Sequence, residues 1–314
     1  MKRKQQVAKR ETTIMECFKG FFTEKLANNL SRKTLDNYEK TIYSFLKELE
    51  VEDIPVKEVN EDLWYRWIGR MRNRDLSISS INHYIRDVRV FFHWCMDRDY
   101  IEEFKMKELK QQEELPKDFS DDKLTTLLER PRDEDGFSIW RSWAITVWIL
   151  ATGNRTETVR NIKVDDINFK SKEITLTTTK NNKAQIIPLT PALERDIKYY
   201  MDQWDLREYL FPDKNGEQAS YNALRIGFMR FCESRGLEQH NLHGLRHSFA
   251  RSWAESDGNV FKLQTALGHS SITMTKRYVR LYGTDMRDSY QEHSTLEKLT
   301  KGVRKSGDPI RKKR

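Results

Sequence analysis

Residues 243–253 read HGLRHSFARSW, and this segment of the 314-residue chain carries the strongest indication of its fold and chemistry. Leu245 and Phe249 are four residues apart and lie on one side of a predicted helix, whereas His243 and Arg246 lie on another. One face of the helix is expected to pack against the protein, and the other presents an imidazole beside a guanidinium. Taken alone, the second face also fits a solvated polar surface.

A zinc site is one interpretation of this helix, because His243 and His247 have the i, i+4 spacing of two zinc-binding histidines. The accompanying glutamate is absent, since position 244 is glycine and position 246 is arginine. A guanidinium between two candidate ligands repels a divalent cation. The segments that carry the candidate residues also have no Walker-type glycine loop and no paired aspartates for Mg²⁺. The sequence therefore predicts neither a metal nor a cofactor.

Further segments carry basic or nucleophilic side chains at positions that packing does not require. Arg155 follows the glycine turn TGN, Lys180 ends a predicted strand, His269 follows Leu-Gly, and Tyr278 comes nine residues after His269. Cations without a metal suit a phosphodiester, whose transition state spreads negative charge over nonbridging oxygens. Preorganised cations stabilise that charge, and a tyrosine hydroxyl supplies a nucleophile for covalent chemistry.

In these segments the chain resembles the tyrosine recombinase family, whose members are also called phage integrases. The motifs occur in the family's order: TGNR at 152–155, TKNNK at 179–183 followed by IIPL at 186–189, HGLRH at 243–247, and LGHSS at 267–271 followed by Tyr278. LSISSINHY at 76–84 and FFHW at 91–94 resemble the family's helical core-binding domain. The layout is similar to that of Xer-like recombinases and simple integrases.

The resemblance implies covalent chemistry at Tyr278. This residue would attack the scissile phosphate and form a 3′-phosphotyrosyl bond, which releases a 5′-hydroxyl. Lys180 would protonate the leaving 5′-oxygen, and His243 would assist proton transfer at the tyrosine. Because one phosphodiester replaces another, the reaction would need neither ATP nor a metal.

The resemblance also implies how the phosphate is held. Arg155 and Arg246 would bind nonbridging oxygens, and His269 would add a further hydrogen bond. The chain departs from the family at one position, since the usual acidic residue three places after the first arginine is Thr158 here, with Glu157 one place earlier. Either Glu157 takes the place of that acidic residue through a shifted turn, or the support that the acidic residue gives the site in the family is altered here.

The expected partners are double-stranded DNA recombination sites. By the resemblance, a homo-tetramer would pair two sites and exchange strands through a Holliday junction, with accessory DNA-bending proteins as possible further partners. A C-terminal helix would dock either on a neighbouring protomer or on its own domain. Two alternatives remain: a type IB topoisomerase that relaxes supercoils without a partner site, and a non-catalytic DNA-binding relative.

Composition agrees with a DNA-binding protein without requiring one. The chain has 56 Lys+Arg against 48 Asp+Glu, a net charge of +8, which favours an acidic partner but also aids solubility. The longest apolar stretch, around Ala144–Ala151, is too short to span a bilayer. Three widely spaced cysteines indicate neither a disulfide framework nor a metal site. We therefore expect a cytoplasmic protein without a membrane partner.

The predicted fold is mainly α, with an all-helical N-terminal core-binding (SAM-like) domain and a mixed, mostly α catalytic domain that contains a small antiparallel β-sheet. The predicted limits are 1–108 for the first domain, 109–119 for a linker, and 120–314 for the catalytic domain with a C-terminal helix and a basic tail. Aromatic stripes on the first four helices are expected to pack a core rather than stack on bases. Alternation over 173–179 and 184–189 predicts a hairpin.

Overall fold

The computed structural model describes residues 11–111, 117–176, 184–256, 258–269 and 271–282. The chain divides into two compact units, Met1–Glu114 and Leu115–Arg314. The division falls inside the predicted linker 109–119, and the exact limits of the two domains stay predictions. Among the described residues, no helix has both the length and the apolar character needed to cross a membrane.

The described part of the N-terminal unit contains four α-helices, as predicted. They are α1 (Ile14–Ala27), α2 (Arg32–Leu49), α3 (Glu61–Asn73) and α4 (Ile78–Met96), with a short 3-10 helix at Val56–Glu58. Each of them begins at a side chain whose oxygen accepts a backbone N–H of the first turn: Thr13 for α1, Ser31 for α2, Asn60 for α3 and Ser77 for α4. Such caps satisfy N–H groups that have no partner within the helix.

The core of the N-terminal unit is aromatic. Trp64, Trp67 and Phe91 are fully buried. Phe45 packs edge-on against Trp67 and Phe92, with ring centroids 5.1 and 5.2 Å apart. Edge-to-face contacts of this kind add to the stability that burial of the rings provides. The prediction that these aromatic stripes pack a core is confirmed.

The segment that follows α4 packs back on that helix. The buried side chain of Asn82 donates to the Leu109 carbonyl at 2.9 Å and accepts the Leu109 N–H at 2.8 Å. Arg86 and Arg89 form ion pairs with Glu108 at 3.2 and 3.1 Å. The N-terminal unit therefore holds the chain as far as residue 109, and two arginines of α4 have an acidic neighbour within the same unit.

The C-terminal unit is built around a buried helix. Its helices are α5 (Asp121–Leu128), α6 (Phe137–Thr152), α7 (Thr156–Val159), α8 (Pro191–Gln203), α9 (Tyr221–Ser234), α10 (Leu242–Glu255), α11 (Val260–Leu267) and α12 (Ile272–Tyr282), with a 3-10 helix at Val164–Asp166. Helix α6 is mostly apolar and is buried along most of its length, with Trp140, Trp143 and Trp148 among its buried side chains. A helix of this kind lies inside a core rather than at its surface.

A three-stranded antiparallel sheet with the order β1-β2-β3 accompanies these helices. Its strands are β1 (Ile167–Asn168), β2 (Glu173–Leu176) and β3 (Gln185–Pro188). Ile174 pairs with Ile187, and both side chains are buried. The predicted hairpin is confirmed as far as these strands reach. Its turn and residues 177–183 lie outside the described residues, as does the predicted C-terminal helix and tail beyond residue 282.

Helix α10, which carries the HGLRH motif, lies directly against the segment that precedes α5. A Cβ atom at Gly244 would lie 2.6 Å from the Lys117 carbonyl oxygen and 2.9 Å from the ring of Phe119. The Phe119 N–H donates to the Ser248 hydroxyl at 2.9 Å. Glycine is therefore required at this point of the motif by the close approach of two backbones, and the contact fixes the position of α10 in the unit.

Candidate active site

Side chains from four parts of the C-terminal unit meet in one cluster. Arg155 lies between α6 and α7, His243, Arg246 and His247 lie on α10, His269 lies between α11 and α12, and Tyr278 lies on α12. Five of the six predicted catalytic residues are in this cluster. The sixth, Lys180, lies outside the residues that the structure describes.

Arg246 is the buried anchor of the cluster, with 2% of its surface exposed. Its Nη1 donates to the Gly153 carbonyl at 2.7 Å, and its Nη2 donates to the Leu267 carbonyl at 2.7 Å and to His269 Nε2 at 2.9 Å. Burial, followed by the like charge of Arg155, lowers the pKa of Arg246 to about 9. The guanidinium therefore stays protonated at neutral pH. Among the described residues no carboxylate pairs with it, so its charge is available to an anion.

Arg155 shares an anchoring point with Arg246. Its Nη1 donates to the carbonyls of Leu267 and Gly268 at 3.1 and 3.3 Å. Its Nε and Nη2 donate to no atom of the described residues, which leaves one edge of the planar guanidinium for an anion. Desolvation lowers the pKa of Arg155 and the Tyr278 phenol raises it. The same phenol raises the pKa of Arg246, so the hydroxyl lies near both guanidinium groups.

Buried polar contacts fix the turn that carries Arg155. Thr152 Oγ1 donates to the Trp148 carbonyl at 2.8 Å, and Asn154 Oδ1 accepts the Trp148 indole N–H at 3.0 Å. Gly153 ends α6 in the left-handed conformation, with a φ of 65°. The sequence alone assigns no role to Asn154, where the family usually has an apolar residue. The structure shows that it ties the turn to the end of α6.

Gly153→Ala is expected to destabilise the protein by about 2–4 kcal/mol, because alanine is strained at this φ and its Cβ overpacks the core. That Cβ would lie 2.5 Å from the Phe249 ring and 3.0 Å from the Leu267 side chain. Urea unfolding measures the change in free energy. The control is Gly136→Ala, where a Cβ meets nothing within 4 Å. Equal stabilities of the two variants would contradict this account of the turn.

The hydrogen bonds of His269 define where its proton lies. A guanidinium can only donate, so Nε2 of His269 accepts from Arg246, and the neutral ring carries its proton on Nδ1. Nδ1 lies 2.8 Å from the hydroxyl of Thr275, which is fully buried. Burial, followed by the charges of Arg246 and Arg155, lowers the pKa of His269 to about 4. At neutral pH, His269 is therefore an uncharged acceptor that orients Arg246.

The hydroxyl of Tyr278 contacts His247 rather than His243. Its oxygen lies 2.6 Å from His247 Nδ1. The tyrosine is 5% exposed and belongs to a small apolar cluster with Ala250 and Leu267. Sequence reasoning gave His247 no catalytic role. Its sequence signals are its place at the end of the HGLRH motif and the i, i+4 spacing from His243, which a zinc helix shares.

His243 lies beside His247, with ring centroids 4.5 Å apart and the planes nearly perpendicular. The ring nitrogens of His243 make no hydrogen bond to any described residue. In the part of the chain that the structure describes, no three His, Cys, Asp or Glu side chains are grouped as metal ligands would be. The pair therefore presents one imidazole bound to a tyrosine and a second imidazole beside it.

The carboxylate of Glu157 faces a partner outside the cluster. Glu157 Oε1 accepts from Nη1 of Arg160, the residue that follows the end of α7, at 2.8 Å. It makes no contact with the cluster among the described residues. This geometry indicates that Glu157 does not replace the acidic residue that the family usually has at position 158. Backbone carbonyls hold Arg155 and Arg246 instead, so the site is supported in a different way.

Two protein-family models match the chain. The model described as the phage integrase family matches residues 117–284, more than half of the chain, and the model described as phage integrase, N-terminal SAM-like domain, matches residues 21–99. The first range contains every residue of the cluster. The second lies within the helical N-terminal unit.

Individual proteins are similar over most of the chain. Tyrosine recombinase XerA of Pyrococcus furiosus is 27% identical over 242 residues, which are 76% of this chain and 82% of the relative. Tyrosine recombinase XerC of Staphylococcus aureus is 23% identical over 286 residues, 88% of this chain and 95% of the relative. The Tn1549 transposon integrase, solved in complex with transposon right end DNA, has a TM-score of 0.74 at 18% identity, covering 92% of this chain and all of that one. This last likeness concerns the fold.

Proposed function

This chain belongs to the phage integrase family of tyrosine recombinases, and we propose that it breaks and rejoins DNA through a covalent bond to Tyr278. Its activity is site-specific DNA recombination. One observation carries the assignment of Tyr278: its hydroxyl lies 2.6 Å from His247, the residue that follows Arg246 on α10. Arg246 and Arg155 in turn donate to the same carbonyl, that of Leu267. A nucleophile and the cations that a phosphodiester requires are thus in one place.

In the proposed step, the phenolic oxygen of Tyr278 bonds to phosphorus, and the bond from phosphorus to the 5′-oxygen breaks. The phenol loses its proton to a base, and the 5′-oxygen takes a proton from Lys180, the acid that the resemblance implies. Negative charge on the nonbridging oxygens grows in the transition state. Arg155 and Arg246 are charged and already oriented by backbone carbonyls, so they stabilise that charge without reorganising.

His269 supports this step in one of two protonation states. As a neutral acceptor it holds Arg246 in place, as the geometry above describes. To donate to a phosphate oxygen, Nε2 must first acquire a proton. The negative charge of a phosphodiester beside the ring favours that protonation, because it opposes the effect of the two arginines on the pKa. We assign the second state to the complex with DNA.

The proposed partner is double-stranded DNA carrying recombination sites, in keeping with the net charge of +8. Four protomers would hold two sites and exchange strands through a Holliday junction, with DNA-bending proteins as accessory factors and the cytoplasm as the location. The family match favours recombination over the relaxation of supercoils by a type IB topoisomerase. It also disfavours a non-catalytic relative, since Arg155, His243, Arg246, His269 and Tyr278 all have competent side chains.

Covalent capture of DNA tests this function. The purified protein is incubated with fragmented, nicked genomic DNA of its source and denatured, and the protein-linked fragments are sequenced. We expect the fragments to share one short sequence, and a plasmid without that sequence to stay supercoiled. Fragments of unrelated sequence, together with relaxation of the plasmid, would instead identify a topoisomerase. A complete lack of linked DNA would refute covalent chemistry.

A further inference from the structure

During DNA cleavage, the hydroxyl proton of Tyr278 must be transferred to a base. A tyrosine hydroxyl has a pKa of about 10 in water, so it is protonated at neutral pH and must lose the proton as it bonds to phosphorus. Nδ1 of His247 lies 2.6 Å from this hydroxyl, which is within hydrogen-bond distance. A general base must have this reach before its other properties matter.

The groups around His247 decide which partner donates in this bond. The imidazole faces His243, the guanidinium groups of Arg246 and Arg277, and the phenol of Tyr278. Burial, followed by the effects of His243, Arg246 and Arg277, lowers the pKa of His247 to about 4, so the ring is neutral at pH 7. A phenol is a better donor than a neutral imidazole N–H, and an imidazole nitrogen is a better acceptor than a phenol oxygen. Tyr278 therefore donates to Nδ1, and Nε2 carries the ring proton.

We propose that His247 is the base that accepts the proton of Tyr278 during DNA cleavage, an inference that rests on the proposed function. The O–H bond of Tyr278 breaks and its proton moves to Nδ1 of His247, while the phenolic oxygen bonds to phosphorus. The bond to the 5′-oxygen breaks, and that oxygen takes a proton from a separate acid, the role that the resemblance gives to Lys180. In rejoining, the imidazolium of His247 returns its proton to the departing phenolic oxygen.

Bound DNA makes His247 a stronger base than it is in the protein alone. Part of what lowers its pKa is the positive charge of Arg246 and Arg277. A phosphodiester held by Arg155 and Arg246 places negative charge beside them, which opposes this effect and raises the pKa of the imidazole. His247 therefore becomes a stronger base when the phosphodiester of DNA is bound, and Tyr278 keeps its proton in the protein without DNA.

His243, the residue to which the resemblance gives proton transfer, has a different position. Its ring meets that of His247 edge to face, at 4.5 Å between centroids, whereas the Tyr278 hydroxyl is hydrogen-bonded to His247. His243 therefore orients the imidazole of His247 from one side and leaves its own nitrogens for the phosphate. Both histidines are needed in this arrangement, but only one of them takes the phenol proton.

The test compares His247→Asn with the wild type in single-turnover cleavage of the captured DNA site, at saturating protein and from about pH 6.5 to 8.5. The asparagine oxygen keeps an acceptor near the position of Nδ1 but cannot take a proton. At pH 7, the rate is expected to fall by about 10²–10⁴-fold. The wild-type rate divided by the variant rate should then fall about tenfold for each unit by which the pH rises, because hydroxide replaces the lost base in the variant. The matched control is His240→Asn, an exposed histidine of the same unit.

A purely structural role for His247 predicts a ratio that does not change with pH, and that result would overturn the inference. If the rate ratio falls with rising pH for His243→Gln and not for His247→Asn, the base is His243. A substrate with a 5′-bridging phosphorothiolate, whose leaving group needs no acid, should not rescue His247→Asn. Rescue would place His247 on the leaving-group side and would also overturn the proposal.

The protein without DNA provides an independent measurement. The ¹⁵N chemical shifts of labelled histidine are expected to show that His247 is neutral at pH 7 and carries its proton on Nε2. In Tyr278→Phe, the Nδ1 resonance of His247 is expected to move, because its hydrogen bond is lost. A proton on Nδ1 would contradict the inference whatever the DNA experiments give. Failure of the wild type to form any adduct refutes the proposed function, whereas the pH-dependent ratio and the tautomer decide the role of His247.

Discussion

Tyr278→Phe is expected to abolish the covalent protein–DNA adduct and to leave DNA binding within about threefold of the wild type, because only the nucleophilic oxygen is removed. Tyr278 is buried against Ala250 and Leu267, and phenylalanine keeps the ring that makes these contacts. The cations that bind phosphate are anchored by backbone carbonyls and by His269 rather than by the hydroxyl. Binding and bond formation should therefore separate in this variant.

The same substitution leaves Nδ1 of His247 without its partner, which is expected to cost less than about 2 kcal/mol of stability. Denaturing gels of reactions with a nicked substrate measure the adduct, and fluorescence anisotropy measures binding. The matched control is Tyr200→Phe, a tyrosine that is fully buried in the same unit and whose hydroxyl makes no hydrogen bond to a described residue. This control should form the adduct at the wild-type rate, within about threefold.

An adduct of normal yield in Tyr278→Phe would mean that another residue is the nucleophile, and the assignment of the whole cluster would then have to be abandoned. Loss of adduct together with loss of binding would indicate that the hydroxyl is also needed for DNA binding, and the variant would then not identify it as the nucleophile. Only the loss of bond formation with retained binding agrees with the geometry described here.

The helices of both units could be predicted from the sequence because the signals are local. Periodic apolar positions and the caps Ser31 and Asn60 mark α2 and α3 without reference to the rest of the chain. Strand β1 could not be predicted, because its two residues are too few to alternate. Its partners in β2 define it through pairing, which depends on the tertiary fold.

The identities of the site residues could be predicted from motifs, but their support could not. Arg246 is oriented by the carbonyls of Gly153 and Leu267. Every residue has a backbone carbonyl, so the sequence does not show which of them accepts a given hydrogen bond. His247 was missed because its function depends on α12 crossing α10, which brings Tyr278 to it. A pattern of spacing along one helix cannot show which side chain of another helix it meets.

The anchoring of Arg246 leads to the second large effect. Arg246→Lys is expected to lower the rate of adduct formation at saturating DNA by at least about 10²-fold, although the formal charge is kept. The guanidinium contacts two carbonyls and an imidazole with two of its nitrogens and keeps further N–H groups for the phosphate. An ammonium has one nitrogen and three N–H groups, so it cannot reach the same acceptors and also bind an oxygen of the phosphate.

A loss of rate could also follow from misfolding, and a second buried arginine separates the two effects. Arg141 is 6% exposed and donates to the Pro212 carbonyl, outside the cluster. Both Arg141→Lys and Arg246→Lys are expected to lose about 1–3 kcal/mol in urea unfolding, because each leaves a buried acceptor poorly satisfied. Only Arg246→Lys should lose cleavage per folded molecule, with Arg141→Lys within about threefold of the wild type. Equal cleavage by the two variants would show that Arg246 acts on the fold alone, and the phosphate would then have to be held without its guanidinium.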